Sequence, residues 1–598
     1  MPTQLKHFVD PLFFRFFAAC CLGLALCGTA SAQNYLNCPL TSNVDVTNSA
    51  PGVNAASVCL VGDGLTLSIS SGAYLFNSGP DGGNGGTILN EGTINNAGVI
   101  YQAQDTVYNA GGTLLNSGEV GNGVVLNTGL IENETGGSLV NVALTNAVSG
   151  TVTNYGSLNG TLTNAGTIYN LGATIELTGV SPTNTNSGTI QNFSGASITV
   201  DGGTSLTNNG TIINNLGATI TNGGQLVNSE GATITNNGAF TAKGPFANYG
   251  TFSNAGGAEF YSLDNSGQIM NQISGVVDIG SGGAPSSVNT GSIINNGYLG
   301  ISGLSDLGQL QNNGTLAIGD GSLAIQSGVN VVNNGSIYVF GSSGAQGGGV
   351  IIGVASTLTD TAGSSFVQYS GNTYVYGTLN SVPAVQLQGG TLLGTGTING
   401  NVINSGGFVQ PGAQPAYVSG MVPGTLTING NYTQGSFGAL DVELLTAYPG
   451  GFGLLDVTGL ATLDGTVDFF AYPGFTPIAG EDLTFLQADS LAGEFASIDF
   501  EGWNCPTGDV CDLVYGSRSV SLDIEAATSG GSGGDGGVGD GSSGGGGGSG
   551  GESGGTNSAP EPSSMLLFGV GMVCLWVLRT RFERVGLTHK PWDDSRFN

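Results

Sequence analysis

Apolar residues recur along the middle of the chain as isolated aliphatic side chains, each following a short polar corner. From about residue 90 to residue 337 the chain repeats the phrase Asn-x-Gly-Thr/Ser/Ala-aliphatic, with copies beginning at Asn90, Asn312 and Asn333. Asparagine and glycine tolerate positive φ angles and favour a turn, and the β-branched residue that follows favours a short strand. Outside the termini no 3.6-residue periodicity is sustained, so the pattern predicts strands and not helices.

The spacing of these phrases predicts a stacked repeat. Strong copies begin at Asn164, Asn186, Asn208, Asn228 and Asn248, about every 20 to 22 residues. One phrase cannot bury its own aliphatic side chain, but stacked coils can, because equivalent side chains form a column while each strand bonds to the coils above and below. We therefore predict an all-β, right-handed parallel β-helix (β-solenoid) with two or three short strands per coil.

The repeated asparagines have two interpretations. In a solenoid they would occupy equivalent corners, where their amides can hydrogen-bond along the stack and satisfy buried corner carbonyls. They could instead be exposed groups that bind sugars. We prefer the ladder, because the Asn-x-Gly corner already explains both residues.

The phrase changes from about residue 390. Glycine-rich segments at 394–402, 409–412 and 424–434 resemble the closing coils of autotransporter passenger domains and of filamentous adhesins. Alternating patterns then predict longer strands at 439–445, 465–471, 482–487, 494–500, 512–515 and 519–524. Such a segment would form a β cap over the last coil, whose strand edges would otherwise be unpaired. A Gly/Ser-rich linker follows at 528–557, in place of a membrane barrel.

Both termini carry targeting patterns. At the N-terminus, Lys6 and Arg15 precede an apolar stretch, and Ala30-Ser31-Ala32 gives the small-x-small pattern of a signal-peptidase site, so the mature chain would begin at Gln33. At the C-terminus an apolar run at 565–578 is long enough to span a bilayer if its ends snorkel. It is flanked by the tripeptide Pro560-Glu561-Pro562 and by the basic residues Arg579, Arg581 and Arg584.

This C-terminal order resembles the PEP-CTERM sorting signal of Gram-negative bacteria. The resemblance covers about residues 558–584, and its arginines are interspersed with other residues. It implies recognition by exosortase, a membrane-embedded peptidase, and a single-pass inner-membrane precursor whose last residues are cytoplasmic. An ordinary C-terminal anchor with a fortuitous Pro-Glu-Pro is the alternative.

Cysteine usage fits an oxidising compartment. The exported body keeps Cys38, Cys59, Cys505 and Cys511, which allow three pairings. The pairing that is local in sequence joins Cys38 to Cys59 and Cys505 to Cys511. No histidine lies near either pair, so we expect structural disulfides and not a metal site.

The charge pattern excludes several function classes. The chain has a formal net charge of −31, and between residues 33 and 558 its only basic residues are Lys243 and Arg518, against 35 acidic ones. Such a surface repels nucleic acid and anionic lipid. Calcium could be held among the acids between Asp441 and Glu525, and the segment 81–86 matches a repeat-type calcium loop only loosely. We interpret the acids as solvated and expect no metal and no cofactor.

No catalytic residue can be assigned from the sequence. His7 and His589 both lie outside the exported body, so histidine-based triads and metal sites are excluded there. A carboxylate-pair glycosidase stays open as an alternative, since any two acids on neighbouring coils would qualify. An ice-binding solenoid is a further alternative, although the Thr-x-Thr pattern at Thr151 and Thr161 is not sustained.

The sequence thus predicts six segments and a non-enzymatic surface protein. The segments are a signal peptide (1–32), a repetitive parallel β-helix (33–389), a C-terminal solenoid and β cap (390–527), a linker (528–557), a sorting signal with a transmembrane helix (558–584) and a cytoplasmic tail (585–598). The resemblances imply an adhesion or matrix protein of the cell envelope, outer surface or extracellular matrix. Its expected partners are an exosortase-type peptidase, the membrane before processing, and exopolysaccharide or other surface glycans of a biofilm.

Overall fold

The structure is a computed structural model, and it describes residues 38–46, 53–54, 58–77, 86–102, 104–179, 183–280, 287–341, 348–413, 422–476, 480–503, 505 and 509–526. This part of the chain contains strands and turns and no helix. The 62 strands form one continuous hydrogen-bonded system in which most strands pair in parallel with the third strand further along the chain. The predicted parallel β-solenoid is confirmed, with three strands per coil.

The strands are short, and their bounds follow in chain order. The first part of the chain contains β1 Val44–Val46, β2 Val53–Asn54, β3 Val58–Val61, β4 Thr66–Ile69, β5 Tyr74–Phe76, β6 Thr87–Asn90, β7 Thr93–Asn96, β8 Val99–Tyr101, β9 Thr106–Asn109, β10 Thr113–Asn116, β11 Glu119–Gly121, β12 Val124–Asn127, β13 Leu130–Asn133, β14 Ser138–Asn146, β15 Thr151–Asn154, β16 Ser157–Asn164, β17 Thr167–Asn170, β18 Thr174–Leu177, β19 Asn184–Asn186 and β20 Thr189–Asn192. The middle contains β21 Ser197–Val200, β22 Ser205–Asn208, β23 Thr211–Asn214, β24 Thr219–Asn222, β25 Gln225–Asn228, β26 Thr233–Asn236, β27 Ala239–Ala242, β28 Phe246–Asn248, β29 Thr251–Asn254, β30 Gly257–Phe260, β31 Leu263–Asn265, β32 Gln268–Asn271, β33 Val276–Ile279, β34 Ser287–Asn289, β35 Ser292–Asn295, β36 Tyr298–Ile301, β37 Leu304–Asp306, β38 Gln309–Asn312, β39 Thr315–Ile318, β40 Ser322–Ile325 and β41 Asn330–Asn333. The last part contains β42 Ser336–Phe340, β43 Gly349–Ile352, β44 Thr357–Asp360, β45 Ser365–Ser370, β46 Asn372–Val375, β47 Thr378–Ser381, β48 Val385–Leu387, β49 Thr391–Gly394, β50 Thr397–Asn399, β51 Val402–Asn404, β52 Phe408–Ala413, β53 Val422–Pro423, β54 Thr425–Asn429, β55 Tyr432–Gln434, β56 Ala439–Leu444, β57 Leu454–Leu463, β58 Thr466–Ala471, β59 Glu481–Gly493, β60 Ser497–Glu501, β61 Asp509–Tyr515 and β62 Ser519–Ala526.

The strands stack into three faces. Face 1 contains β7, β10, β13, β15, β17, β20 and every third strand from there to β50; face 2 contains β5, β8, β11, β18, β21 and every third strand to β51; face 3 contains β6, β9, β12, β19, β22 and every third strand to β52. β14 and β16 each run through the corner between faces 2 and 3. Register is kept residue by residue, as in Thr189↔Thr211 and Asn192↔Asn214. This stacking continues across residue 390 as far as β60.

Side-chain alternation places the core inside the coils. On face 1 the second residue of each strand is buried, as at Ile168, Ile190 and Ile212. The fourth residue is also buried, and over most of this face it is asparagine. One stretch has an aromatic core, in which the rings of Phe246 and Phe260 stack with their centroids 5.1 Å apart. Each coil buries only a few apolar side chains, so stability depends on stacking with its neighbours.

The C-terminal strands differ from the repeat. β62 pairs antiparallel with β59 on one side and with β61 on the other, after the parallel stack has ended. The six strands predicted from alternation between residues 439 and 524 correspond to β56, β58, β59, β60, β61 and β62, with bounds that differ by a few residues. β57, at Leu454–Leu463, has no counterpart in that prediction. No helix among the described residues is long and apolar enough to cross a membrane.

Candidate functional site

Two buried, hydrogen-bonded asparagine ladders follow two corners of the described solenoid, and the repeat phrase predicted asparagine stacking of this kind. In each, the side-chain Nδ2 of one residue donates to Oδ1 of its counterpart on the next coil, over 2.6 to 2.9 Å. The face-1 ladder contains Asn96, Asn116, Asn133, Asn154, Asn170, Asn192, Asn214, Asn236, Asn254, Asn271, Asn295, Asn312, Asn333 and Asp360. The face-3 ladder contains Asn90, Asn109, Asn127, Asn146, Asn164, Asn186, Asn208, Asn228, Asn248, Asn265, Asn289 and Asp306.

The ladders also satisfy the backbone at the corners. Asn170 Nδ2, for example, donates to the backbone oxygens of Ala173 (3.1 Å) and Ser197 (3.0 Å) as well as to Asn192. Every ladder asparagine is at most 1 % exposed. These side chains therefore cannot contact a sugar, and the structural interpretation of the asparagines is confirmed.

Each ladder runs in one direction and ends in an aspartate. Asp306 accepts from Asn289 and Asp360 accepts from Asn333. A carboxylate can take the last position of a ladder because the preceding asparagine requires only an acceptor there. Burial raises the pKa of both carboxyl groups above the ordinary value. The hydrogen bond from Asn289 opposes this shift at Asp306, and that from Asn333 opposes it at Asp360. At the opposite end, Oδ1 of Asn90 and Oδ1 of Asn96 accept no hydrogen bond.

A stack of carboxyl groups lies on the outer side of the last coils. β56, β58 and β60 pair in parallel so that Asp441, Asp468 and Asp499 are in register. Asp441 is 8 % exposed and shares a hydrogen bond with Asp468, while Asp499 is exposed. Burial, with the charges of Asp468 and then Glu443, raises the pKa of Asp441 to about 8. Two hydrogen-bonded carboxyl groups repel each other when both are ionised, so the pair holds a proton near neutral pH.

A second carboxyl pair lies on face 2. Glu259 in β30 and Asp278 in β33 are register partners on consecutive coils. Burial, followed by the charge of Glu259, raises the pKa of Asp278 to about 6. Gly300 holds the next register position, where a Cβ would lie 2.2 Å from Asp278 Oδ1. The glycine therefore leaves room for the carboxyl group.

Face 1 carries a rank of threonines on its outer side. Six consecutive coils place threonine first in their strands, at Thr151, Thr167, Thr189, Thr211, Thr233 and Thr251. The third positions of the same strands are mixed and hold Thr153, Tyr169, Gln191, Ile213, Thr235 and Ser253. The face thus has one threonine rank and not the two parallel ranks of a Thr-x-Thr array.

An exposed aromatic cluster lies where face 2 turns towards face 3. Phe340 and Tyr369 stack with their centroids 5.1 Å apart and their planes 6° apart, and they are 42 % and 37 % exposed. Tyr338 lies 6.2 Å from Tyr369. Ile318 on the preceding coil is the register partner of Val339. Gly319, which follows Ile318, therefore presents no side chain beside Phe340. We call Tyr338, Phe340 and Tyr369 the aromatic platform. It could not be predicted from the sequence, because it depends on a register shift in the pairing of β42 with β45.

The remaining predicted sites fall into two groups. The cysteines pair locally, Cys38 with Cys59 and Cys505 with Cys511, near the two ends of the body. The other predicted sites lie outside the described residues. They are the signal-peptidase residues Ala30, Ala32 and Gln33, the sorting-signal residues Pro560, Glu561, Pro562, Arg579, Arg581 and Arg584, the histidines His7 and His589, and the calcium-loop segment 81–86 except for Gly86. Within the described ranges no group of three or more His, Cys, Asp or Glu residues could hold a metal ion.

Comparison with known proteins identifies one segment. Residues 558–581 match the family model described as the PEP-CTERM protein-sorting motif. No curated protein matches the chain. The chain is thus similar to exosortase-sorted proteins over its C-terminal motif, which indicates export, sorting to the cell surface and processing by exosortase, a membrane protein.

Proposed function

We propose that this exosortase-sorted β-solenoid is a non-enzymatic structural or adhesion protein of the cell envelope or the extracellular matrix, associated with exopolysaccharide. The observation that carries the proposal is the sorting motif at 558–581 on a body made of repeated coils. The motif directs the protein to the cell surface. The repeat supplies a long, polar, acid-rich exterior, a form suited to display and contact over a large area.

The ends of the chain complete this proposal. A signal peptide at 1–32 begins export, and the apolar run at 565–578 holds a single-pass precursor until the peptidase acts. We assign β61 and β62 the role of a cap, since β62 covers an edge of β59 with antiparallel hydrogen bonds. The linker at 528–557 then separates the body from the membrane.

Truncation tests the sorting step. A chain that ends at Ser558 should still be exported but should be released or mis-sorted, because it lacks Pro560 to Arg584. Fractionation and surface labelling of cells that express either form measure this. Unchanged surface retention of the truncated chain would refute the sorting role.

The glycan contact that we propose uses the aromatic platform. Exposed aromatic rings offer apolar faces to the C–H faces of pyranose rings, and the acid-rich surface disfavours polyuronates. We therefore expect the protein to bind neutral polysaccharide. The double variant Phe340→Ala, Tyr369→Ala should lose co-sedimentation with neutral exopolysaccharide. Tyr249→Ala removes an aromatic ring that is 44 % exposed elsewhere and should bind normally. If wild type, the double variant and Tyr249→Ala bind the polysaccharide equally, the aromatic platform is not the glycan contact.

The glycosidase alternative has one specific candidate, Asp441 with Asp468. Retaining glycosidases hold their carboxyl groups about 5 to 5.5 Å apart so that the sugar fits between them. Asp441 and Asp468 instead share a hydrogen bond, which favours a structural role. New reducing ends after incubation with neutral and acidic polysaccharides would favour the enzyme, and their loss in Asp468→Asn would assign the pair.

A further inference from the structure

A compact group of polar side chains is buried near the N-terminal end of the solenoid. Asn77 follows β5 and Gln102 follows β8, at one corner of consecutive coils, because Phe76 and Tyr101 are register partners. Asp105 lies immediately before β9, which is the strand that follows β8 and Gln102 along the chain. We call Asn77, Gln102 and Asp105 the corner cluster. Their exposed fractions are 0 %, 0 % and 4 %.

Three of the four amide nitrogen and oxygen atoms in the corner cluster lack hydrogen-bond partners. Asn77 Nδ2 donates to the backbone oxygen of Thr106 (2.9 Å), but Asn77 Oδ1 accepts nothing. Neither Oε1 nor Nε2 of Gln102 is hydrogen-bonded. A fully buried acceptor without a partner costs about 1 to 3 kcal/mol. Native proteins rarely keep such groups close together unless an ion or a water completes them. The oxygens therefore point to a ligand that accepts electron pairs.

Glycines leave room for these oxygens at the corner, because a side chain at either glycine would collide with them. Thr87, Thr106 and Val124 are register partners, so Gly86, Asp105 and Gly123, which precede them, line up on three successive coils. A Cβ on Gly86 would lie 2.6 Å from Asn77 Oδ1 and 3.1 Å from Asp105 Oδ2. A Cβ on Gly123 would lie 2.7 Å from Gln102 Oε1. Asn77 Oδ1 and Asp105 Oδ2 thus both lie beside Gly86, and Gln102 Oε1 lies beside Gly123.

We propose that the corner cluster is a Ca²⁺ site that locks the first coils of the solenoid. Calcium takes six to eight oxygen ligands in flexible geometry, including carboxylates, Asn and Gln carbonyls and backbone carbonyls. Asp105 supplies the charge and the two amides supply neutral oxygens. Mg²⁺ requires near-octahedral geometry and retains its waters, which a buried corner does not accommodate.

The chemistry of the chain favours a cation here. A formal net charge of −31 attracts divalent cations, and the basic residues nearest in sequence, Arg15 and Lys243, are far from the cluster along the chain. A site with one carboxylate is expected to be weak, in the range of about 0.1 to 1 mM that is common for extracellular modules. The proposal does not depend on the protein's glycan contacts.

Hydrogen exchange of the full exported chain tests the proposal. In wild type, CaCl₂ titrated from micromolar to about 10 mM should slow amide exchange saturably in β5, β6, β8 and β9, whereas MgCl₂ at equal ionic strength should not. Asp105→Asn should weaken the Ca²⁺ response by about tenfold or more. Asp264→Asn, which removes an exposed charge from face 3, is the matched control and should respond as wild type does.

A second variant separates a calcium site from a purely structural corner. Gln102→Glu adds a carboxylate and removes the unpaired donor, so it should bind Ca²⁺ at least about tenfold more tightly and lose protection in these strands when calcium is chelated. Protection of β20 to β35 in the same experiment reports that each variant is folded. The proposal is overturned if wild type gives no saturable Ca²⁺ effect, if Mg²⁺ acts equally, or if Gln102→Glu does not bind more tightly.

Discussion

The asparagine ladder makes a quantitative prediction at Asn214, in the middle of the face-1 ladder. Its Oδ1 accepts from Asn192 over 2.9 Å, and its Nδ2 donates to Asn236 Oδ1 over 2.7 Å and to the backbone oxygen of Ala239 over 2.9 Å. Its Nδ2 also donates to the backbone oxygen of Ala218 over 3.3 Å, and Asn214→Ala removes all four bonds without changing the backbone. It leaves Asn236 Oδ1 buried without a donor.

The size of the effect follows from which groups lose their last partner. Asn192 Nδ2 keeps its bond to the backbone oxygen of Thr219 (2.9 Å), so its loss is partial. Asn236 Oδ1 has no other donor, and an unsatisfied buried acceptor costs about 1 to 3 kcal/mol. With about 1 kcal/mol for the bond to Ala239, we expect Asn214→Ala to destabilise the local coils by about 2 to 4 kcal/mol.

Local opening free energies are the appropriate measurement, because a long solenoid need not unfold in one step. Hydrogen exchange should show lost protection in β20, β23 and β26. Asn209→Ala, at an exposed corner position, is the control and should change stability by less than about 0.5 kcal/mol. If Asn214→Ala resembles this control, the ladder does not contribute as reasoned. The double variant Asn192→Ala, Asn214→Ala should cost less than the two single changes together, because they share a bond.

Two further predictions concern the last coils and the glycine corners. Because the folded-state pKa of Asp441 is raised from 3.8 to about 8, its contribution to stability is full below pH 3.8 and is lost as the pH rises towards 8, by on the order of 5 kcal/mol. The local opening free energy of β56 and β58, measured by hydrogen exchange across this pH range, should show this slope, and Asp441→Asn should flatten it. An unchanged slope would contradict the assignment. A Cβ on Gly118 would lie 2.0 Å from Gly98 O, so Gly118→Ala should destabilise by about 3 kcal/mol or more, whereas Gly202→Ala, with no atom nearer than 3.9 Å, should change stability by less than about 0.5 kcal/mol in the same assay.

Much of the fold could be predicted because each repeat phrase specifies its own local conformation. Asn-x-Gly specifies a corner, and the aliphatic residue after it specifies an inward position, wherever the coil lies. The same phrase marks two different corners, however. Asn164 and Asn170 are six positions apart and belong to different ladders, so the sequence predicted asparagine stacking but not that it forms two separate buried ladders.

The side-chain clusters could not be predicted, because each one joins residues from different coils. Asp441, Asp468 and Asp499 meet only through the register of three strands. The aromatic platform depends on a register shift between Val339 and Phe340 in the pairing of β42 with β45.

The sequence by itself determined the local conformation, the burial of one aliphatic per short strand, and the sorting motif, since each is encoded in adjacent residues. Only the tertiary structure decided which side chains meet across coils. Coil length is the physical reason: ladder partners are 16 residues apart at Asn154 and Asn170 but 27 apart at Asn333 and Asp360, since corner segments absorb extra residues without disturbing the strands. Spacing along the chain therefore does not fix the register, and hydrogen bonding between stacked strands does.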